Sequence, residues 1–333
     1  MRPVLLCGLI GCLAAGIAAA DEKPDKLTIC TWNLEWFFDE HTGDNFAELP
    51  KKQAAPSRED WDWKLAGVAS VLGKLKPTIV ALQEIENRRV LFYLTQKLRR
   101  DYDLNYRIAY IEGEDFFTEQ DVAILSTSGL VEFRRRERSR EEFENEEFQA
   151  LTKHLFADFA WGSGQEQVKL TLLNLHTRAT PEAANLRQKQ ARLARHWLQQ
   201  QIELGENVII LGDLNSNELA SETTKTGDIG IFRGLDTAAT ADDLFDTLAT
   251  LANPKSPTHL TGRQFDRILL SRPLTAKDSS SRGISFRSIA LRRDLVIRGS
   301  GQDKDHFDVY WQIPAAERDI SDHYPLVAEF EFR

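Results

Sequence analysis

The sequence predicts an α+β protein, a sandwich with a mainly antiparallel core of two sheets and helices outside. Three observations lead there. Apolar runs of strand length recur along the whole chain. Amphipathic helical stretches fall among them without the strict strand–helix alternation of a parallel fold. No internal repeat and no long linker divides the 333 residues, a length that suits one large domain with an ample core.

Residues 1–20 stand apart from that core. Arg2 opens a short positive region, residues 4–17 are almost wholly apolar and small, and Ala18-Ala-Ala20 offers a small-residue cleavage site before Asp21. This is the pattern of a secretory signal peptide, so the expectation is an exported protein, periplasmic or secreted, with its domain over residues 21–333. The apolar run is too short to span a membrane comfortably. Leu9-Ile-Gly-Cys12 resembles a lipoprotein cleavage box and makes lipid attachment at Cys12 the alternative. Cleavage after Ala20 would leave Cys30 as the sole cysteine, with no internal disulfide. Inside an apolar strand, Cys30 reads as a small buried hydrophobe.

Residues 27–33 alternate as a first strand, ending in Asn33 with Glu35 and Trp36 beyond it. After a loop with Gly43, Pro50 and Pro56, Ser57 stands three residues before Asp60 in capping-box spacing. Trp61, Leu65, Val68 and Leu72 then share one helical face, and Pro77 stops the helix. Residues 78–83 form a buried strand ending on Glu84. Residues 90–98 read as a second amphipathic helix. Residues 106–111 and 121–127 read as strands around a charged loop. Arg134, Arg135, Arg136, Arg138 and Arg140 precede a run of glutamates, a mixture expected to be a solvated, mobile hairpin or loop, with phosphate contact as the functional alternative.

Residues 154–159 and 168–175 are the next strands, and the second leads to His176. Pro181 suits the first turn of a long helix reaching about residue 204, with Arg187, Arg192 and Arg195 expected toward solvent. Residues 208–211 form a short apolar strand. Gly212 turns the backbone after it, and alternation sends Asp213 and Asn215 to the same side. Residues 216–242 read as a loop over the active face, 244–251 as a short helix, 265–271 as a strand carrying Asp266, and 278–283 as a polar loop. Residues 289–297 and 307–313 look extended. Ile320-Ser-Asp-His-Tyr-Pro325 turns into a final strand over residues 326–332.

Six strand ends therefore carry polar residues: Asn33, Glu84, His176, Asp213 with Asn215, Asp266, and Asp322 with His323. Any one of them is ordinary turn chemistry. Six together suggest one shared cleft. The residue types limit what it does. Cys30 is an unlikely nucleophile, and there is no Gly-x-Ser-x-Gly elbow and no Gly-x-x-x-x-Gly-Lys loop. Oxygen-rich ligands suit a hard cation such as Mg²⁺ over zinc. Two imidazoles beside carboxylates suit proton transfer near neutral pH. Together these fit metal-assisted attack of water on phosphorus. The net charge of −9 does not draw polyanions from a distance, so local cations and a bound metal must offset it.

Thr31-Trp-Asn-Leu-Glu35, Leu82-Gln-Glu84, Asp121-Val-Ala-Ile-Leu-Ser126, Asn174-Leu-His176, Gly212-Asp-Leu-Asn215, Phe265-Asp-Arg-Ile-Leu-Leu-Ser271 and Ser321-Asp-His-Tyr-Pro325 occur in this order. They resemble the ordered motifs of the endonuclease/exonuclease/phosphatase superfamily, the deoxyribonuclease I-like fold. The resemblance runs from about residue 27 to the C-terminus. It implies a four-layer α/β/β/α sandwich with its site between the edges of two central sheets. It implies Mg²⁺ (or Mn²⁺ or Ca²⁺) at Glu84, assisted by Asn33 and Asp322. His323 would act as general base or electrostatic partner, supported by Asp266. Asp213 would orient the nucleophile, while Asn215 and His176 would donate to phosphate oxygens.

The expected activity is that of an exported, monomeric phosphodiesterase acting on DNA or RNA, with Arg178 as a phosphate contact and no stable protein partner. A phospholipid substrate, of sphingomyelinase or phosphoinositide type, is the alternative. The run His306-Phe-Asp-Val-Tyr-Trp311 would then be a membrane-touching hairpin. Gln264-Phe265 stands where inositol phosphatases usually carry Trp-Cys, which counts against that branch. A non-catalytic binding module would lack a site residue, and none is missing.

Overall fold

The computed structural model describes residues 21–275, 283–299 and 305–333. The leader with Cys7 and Cys12, and nearly all of the polar loop expected at 278–283, lie outside the described residues.

Twelve strands form two six-stranded sheets among the described residues. The first has the order β11 (Ile284–Leu291), β12 (Leu326–Phe332), β1 (Leu27–Phe37), β2 (Ile79–Ile85), β4 (Asp121–Ser126), β3 (Arg107–Tyr110). The second has the order β5 (Leu130–Arg134), β6 (His154–Trp161), β7 (Val168–His176), β8 (Val208–Asp213), β10 (Asp266–Leu270), β9 (Phe245–Asp246). Each sheet has one parallel pair, β1 with β2 and β7 with β8, and is otherwise antiparallel.

Both faces of each sheet are covered, which is why the central strands read as continuous apolar runs. Ile29, Ile79, Ala81, Ile209 and Leu211 point into the layer between the sheets, with Phe159, Trp161 and Phe330. Their neighbours Cys30, Val80 and Leu82 face helices α1 (Arg58–Leu75) and α2 (Arg88–Tyr102). Val208 and Ile210 face α3 (Ala184–Glu203) and α4 (Asp228–Arg233) on the opposite outer side. The result is the expected four layers. Ser57 caps α1 by accepting the Asp60 N–H, and Asn87 caps α2 through the N–H groups of Arg89 and Val90.

Several local expectations are corrected. Arg187 and Arg195 are buried, not solvent-facing, because each finds a carboxylate some forty residues away: Asp228 at 2.7 Å and Asp242 at 2.7 Å. The arginine run is a structured edge rather than a loose, solvated loop. Arg134 pairs with Asp158, Arg135 donates to the carbonyls of Glu112 and Thr152, and Arg136 pairs with Glu142 over the ring of Trp197. The loop expected over residues 216–242 contains α4, whose Ile229 and Phe232 are buried among the side chains of α3. Residues 244–251 form β9 and a single 3-10 turn rather than a helix. The penultimate strand begins earlier than expected, at Ile284, and ends at Leu291. Residues 306–312 are helical turns, not an extended hairpin, because Lys64 donates to the Tyr310 hydroxyl and the Trp311 indole donates to the Gln53 carbonyl.

Candidate active site

Sheet register places the polar strand ends. In the second sheet, His176 pairs with Asp213, and Asp213 pairs with Asp266, so three functional groups stand in one row. In the first sheet, Asn33 pairs with Gln83. The register of β2 shifts between Gln83 and Ile85 against both neighbours, leaving Glu84 at a bulge with φ 60°. A bulge re-aims a side chain, and here it turns Glu84 into the cleft. Glu35 and Trp36 (φ 49° each) and Asn215 (φ 46°) are also left-handed. Such non-glycine conformations cost roughly 1–3 kcal/mol each and cluster where function needs them. Gly212, at φ 129°, is a close approach: a Cβ there would lie 2.0 Å from the Leu175 carbonyl oxygen.

The two sheet edges are fastened to each other by amides. The Gln83 side chain donates to Asn174 Oδ1 at 2.7 Å, and Asn174 Nδ2 donates to the carbonyls of Leu82 at 3.0 Å and Ala123 at 2.9 Å. Gln83 precedes Glu84, and Asn174 stands two residues before His176, so this bridge sets the distance between the two halves of the site. The C-terminal loop is tied in by the Trp32 indole, which donates to the His323 carbonyl, and by the Ser321 hydroxyl, which donates to the Asn33 carbonyl.

Glu84, His176, Asp213, Asn215, Asp322 and His323 line one cleft of ≈ 410 Å³, with Trp36, Phe117, Lys153, Arg178 and Phe265 on its walls. Asn33 lies beneath it. Its Nδ2 donates to Glu84 Oε1 and Asp213 Oδ2, both at 3.0 Å, and its Oδ1 accepts the Glu35 N–H at 2.9 Å. Asp213 Oδ2 is 3.6 Å from both His176 Nε2 and His323 Nε2. Its Oδ1 accepts the Asn215 N–H at 2.9 Å. His323 Nδ1 lies 2.9 Å from Asp266 Oδ2. The Asn215 side chain donates to the Thr177 carbonyl at 3.1 Å. Arg178 is exposed at the rim. All nine residues singled out in the sequence therefore gather at this one edge of the sandwich.

Burial separates the protonation states. The Glu84 carboxyl is pushed up to about 7 by burial and by the charge of Asp322. Burial also raises Asp213, partly offset by His323. Burial opposes charge on His323, but Asp266, Asp213 and Asp322 hold it protonated well above the usual imidazole range. His176 goes the other way, well below that range, through burial and the nearby Lys153 and His323 charges. Burial would raise Asp322 too, yet the charges of His259 and His323 keep it low. One imidazolium and one neutral imidazole thus flank a shared carboxylate. His176 Nδ1 is buried without a partner, so its proton belongs on Nε2, where the acceptors are.

The donor set fits a divalent cation. Glu84 and Asp322 are carboxylates of a desolvated site, and Asp322 Oδ1 is buried with no hydrogen-bond donor. A cation would satisfy that oxygen and relieve the repulsion that raises Glu84.

Three neighbours escaped the sequence reading. His259 Nε2 is 2.9 Å from Asp322 Oδ2. His306 Nε2 is 2.6 Å from Glu35 Oε1, and Glu35 Oε2 accepts the Asp322 N–H at 3.0 Å. Lys153 donates to Thr118 Oγ1 and Gln120 Oε1 beside the cleft and pairs with Asp115 at 2.8 Å. The histidines sit in irregular or misread segments, so no periodic pattern marked them.

Comparison with known proteins follows the same outline. The model of the Endonuclease/Exonuclease/phosphatase family matches residues 30–323. No curated protein matches the chain by sequence. Among solved structures, a humanized D. rerio TDP2 carrying 14 mutations is 18% identical, over 92% of this chain and 100% of its own, with a TM-score of 0.55. D. rerio TDP2 complexed with a single-strand DNA product is also 18% identical, over 92% of this chain and 100% of its own, at a TM-score of 0.52. The human Nocturnin catalytic domain with bound sulfate is 15% identical, over 94% of this chain and 96% of its own, at 0.55. At these identities the likeness shows a shared fold.

Proposed function

Because the chain belongs to the endonuclease/exonuclease/phosphatase family, whose members are phosphoric ester hydrolases and generally metal-dependent, we propose that it is an exported nuclease. It cleaves phosphodiesters of DNA or RNA by attack of water on phosphorus. The observation that carries this reading is the position of Asp213, whose Oδ2 lies 3.6 Å from the Nε2 atoms of both His176 and His323 in one cleft. D. rerio TDP2, which shares the fold, is complexed with single-strand DNA product, and that supports a nucleic-acid substrate.

Glu84 and Asp322 would hold the ion, and Mg²⁺ would suit their oxygens. Asn33 keeps Glu84 and Asp213 in place. A divalent ion bound there would supply neutralisation of the negative charge that develops on the phosphate. Asp213 orients the attacking water and accepts its proton as the new P–O bond forms and the P–O bond to the leaving oxygen breaks, that oxygen taking up a proton from solvent. Between the two functions considered for His323, the local field favours the electrostatic one. Its Nε2–H donates to the phosphate, while Asp266 fixes the ring through Nδ1. His176, neutral, donates a hydrogen bond from Nε2 to the phosphate or leaving oxygen, and Asn215 donates through its second amide hydrogen. Removing one such preorganised donor costs roughly 3 kcal/mol of transition-state stabilisation. Arg178 contacts a flanking phosphate, which makes binding salt-sensitive.

Export rests on the leader-like residues 1–20. The protein acts as a monomer without a stable protein partner. The lipid reading is the alternative; the run at 306–311 packs as helical turns, and among its aromatic side chains only Phe307 is strongly exposed. Plasmid nicking and sphingomyelin hydrolysis, each assayed with Mg²⁺ and with chelator, decide between them. Metal-dependent nicking alone supports a nuclease, and lipid cleavage without nicking overturns it.

A further inference from the structure

His259 lines the catalytic cleft, yet no step of the mechanism above uses it. Its segment is a tight turn. The Thr258 and His259 N–H groups both donate to the Arg263 carbonyl, and the Gly262 N–H, at φ 83°, donates to the His259 carbonyl at 3.0 Å. The turn lies against the C-terminal loop as a short antiparallel bridge, with His259 opposite His323. The Leu260 N–H donates to the Asp322 carbonyl and the Tyr324 N–H to the Thr258 carbonyl, both at 2.8 Å. The Thr258 hydroxyl accepts the Asp266 N–H at 3.1 Å. Residues 258–260 therefore join the start of β10, which carries Asp266, to the loop that carries Asp322 and His323.

The imidazole is as closely held as its backbone. Thr261 Oγ1 lies 2.7 Å from Nδ1, and the ring packs with centroids 4.9 Å from Phe265 and 6.2 Å from Phe307. The other nitrogen, Nε2, is 2.9 Å from Asp322 Oδ2. The ring also meets His323 edge to face, 4.4 Å between centroids. We propose that His259 is a positioning residue: its Nε2–H fixes the Asp322 carboxylate, and its ring steadies the His323 imidazole beside it. The inference rests on the metal-dependent hydrolase reading above and adds a group that holds the machinery without touching the phosphate. A carboxylate free at both oxygens turns about its last bond, whereas one tied through Oδ2 presents Oδ1 in a single place. That Oδ1 is 3.9 Å from His323 Nε2. The Asp322 N–H is tied separately, to Glu35 Oε2 at 3.0 Å, so His259 alone governs the carboxylate end. Partners of this kind around a ligating carboxylate are worth about 10–100-fold in metal affinity or activity.

Two substitutions in the full chain separate the donor from the ring. His259→Phe keeps a flat ring and loses the N–H, while His259→Gln loses the ring and keeps an amide donor. Calorimetric titration with MnCl₂ reads the carboxylate, and steady-state rates on a model phosphodiester read the chemistry. In His259→Phe, Mn²⁺ affinity should fall by about tenfold or more and kcat by about 10–100-fold, with KM within about threefold of wild type. His259→Gln should recover Mn²⁺ affinity to within about threefold of wild type and most of kcat. A purely structural role would not split kcat from KM, nor be rescued by an amide. His259→Gln as impaired as His259→Phe overturns the proposal, as does a raised KM with kcat intact. If the wild type neither binds Mn²⁺ nor cleaves the ester, the hydrolase reading itself fails. If it does both and His259→Phe matches it within about twofold, only the His259 assignment fails.

Discussion

Asn174→Ala removes the amide that fastens the two sheets beside the site. Three hydrogen bonds go with it: from Gln83 Nε2, and to the carbonyls of Leu82 and Ala123. At roughly 1 kcal/mol net each, these total about 3 kcal/mol. The side chain is completely buried, so the space it leaves adds about 1–2 kcal/mol. The expected loss is about 4–5 kcal/mol, which at a urea slope of about 3 kcal/mol per molar moves the midpoint down by roughly 1.5 M. Asn174→Leu separates the contributions: it fills the space but leaves the same partners unpaired, so it should also destabilise. Activity should fall in both variants even where they remain folded, by about 100-fold for a displacement near 1 Å between Glu84 and His176. Urea unfolding followed by tryptophan fluorescence, with initial rates on a model phosphodiester, measures both. A midpoint shift below about 0.3 M in both variants, with rates unchanged, would refute the claim that this bridge sets the site.

Other outcomes follow from the same structure. Asp213→Asn should lower kcat by roughly 10²–10⁴-fold and also lower the melting temperature, since one amide oxygen cannot accept from both Asn33 and the Asn215 N–H as the carboxylate does. Gly212→Ala should unfold or severely destabilise the protein, because its methyl meets the Leu175 carbonyl at 2.0 Å and φ is 129°; a circular dichroism melt reads this. In chelator, stability should fall as pH rises from about 4.5 toward 8. Glu84 and Glu86, pushed up to about 7 and about 8 chiefly by burial, keep their protons in the folded chain, whereas the unfolded chain releases them near pH 4.5. Glu86→Gln should flatten the upper part of that slope in melts at pH 5.5 and 8.5. Arg178→Ala should weaken binding of a nucleic-acid oligomer and reduce the salt slope of log Kd by about 1.

The fold was legible where burial on both faces left an unmistakable trace. Residues 78–83 and 208–211 read as apolar runs, and both are central strands with side chains in two cores. Strand ends were legible as well, because Glu84, Asp213 and His323 each follow or precede such a run. What failed depends on contacts between distant segments. Nothing local in the helix around Arg187 and Arg195 announces Asp228 and Asp242. The stretch from His306 to Trp311 has the composition of a strand, but Lys64 and the Gln53 carbonyl hold it as helical turns. His259 and His306 gain meaning only through Asp322 and Glu35, 63 and 271 residues away. The Glu84 bulge was also hidden, since a sequence shows which residue ends a strand but not an irregularity in its pairing.

The central claim is that these separate strand ends surround one metal ion and one phosphate. The most direct measurement is anomalous scattering from crystals grown with Mn²⁺ and a dinucleotide phosphorothioate. Manganese density should lie against Glu84 and Asp322, with the phosphorothioate between His176, Asn215 and His323. A phosphorothioate bound elsewhere on the protein, or manganese that avoids both carboxylates, would contradict it.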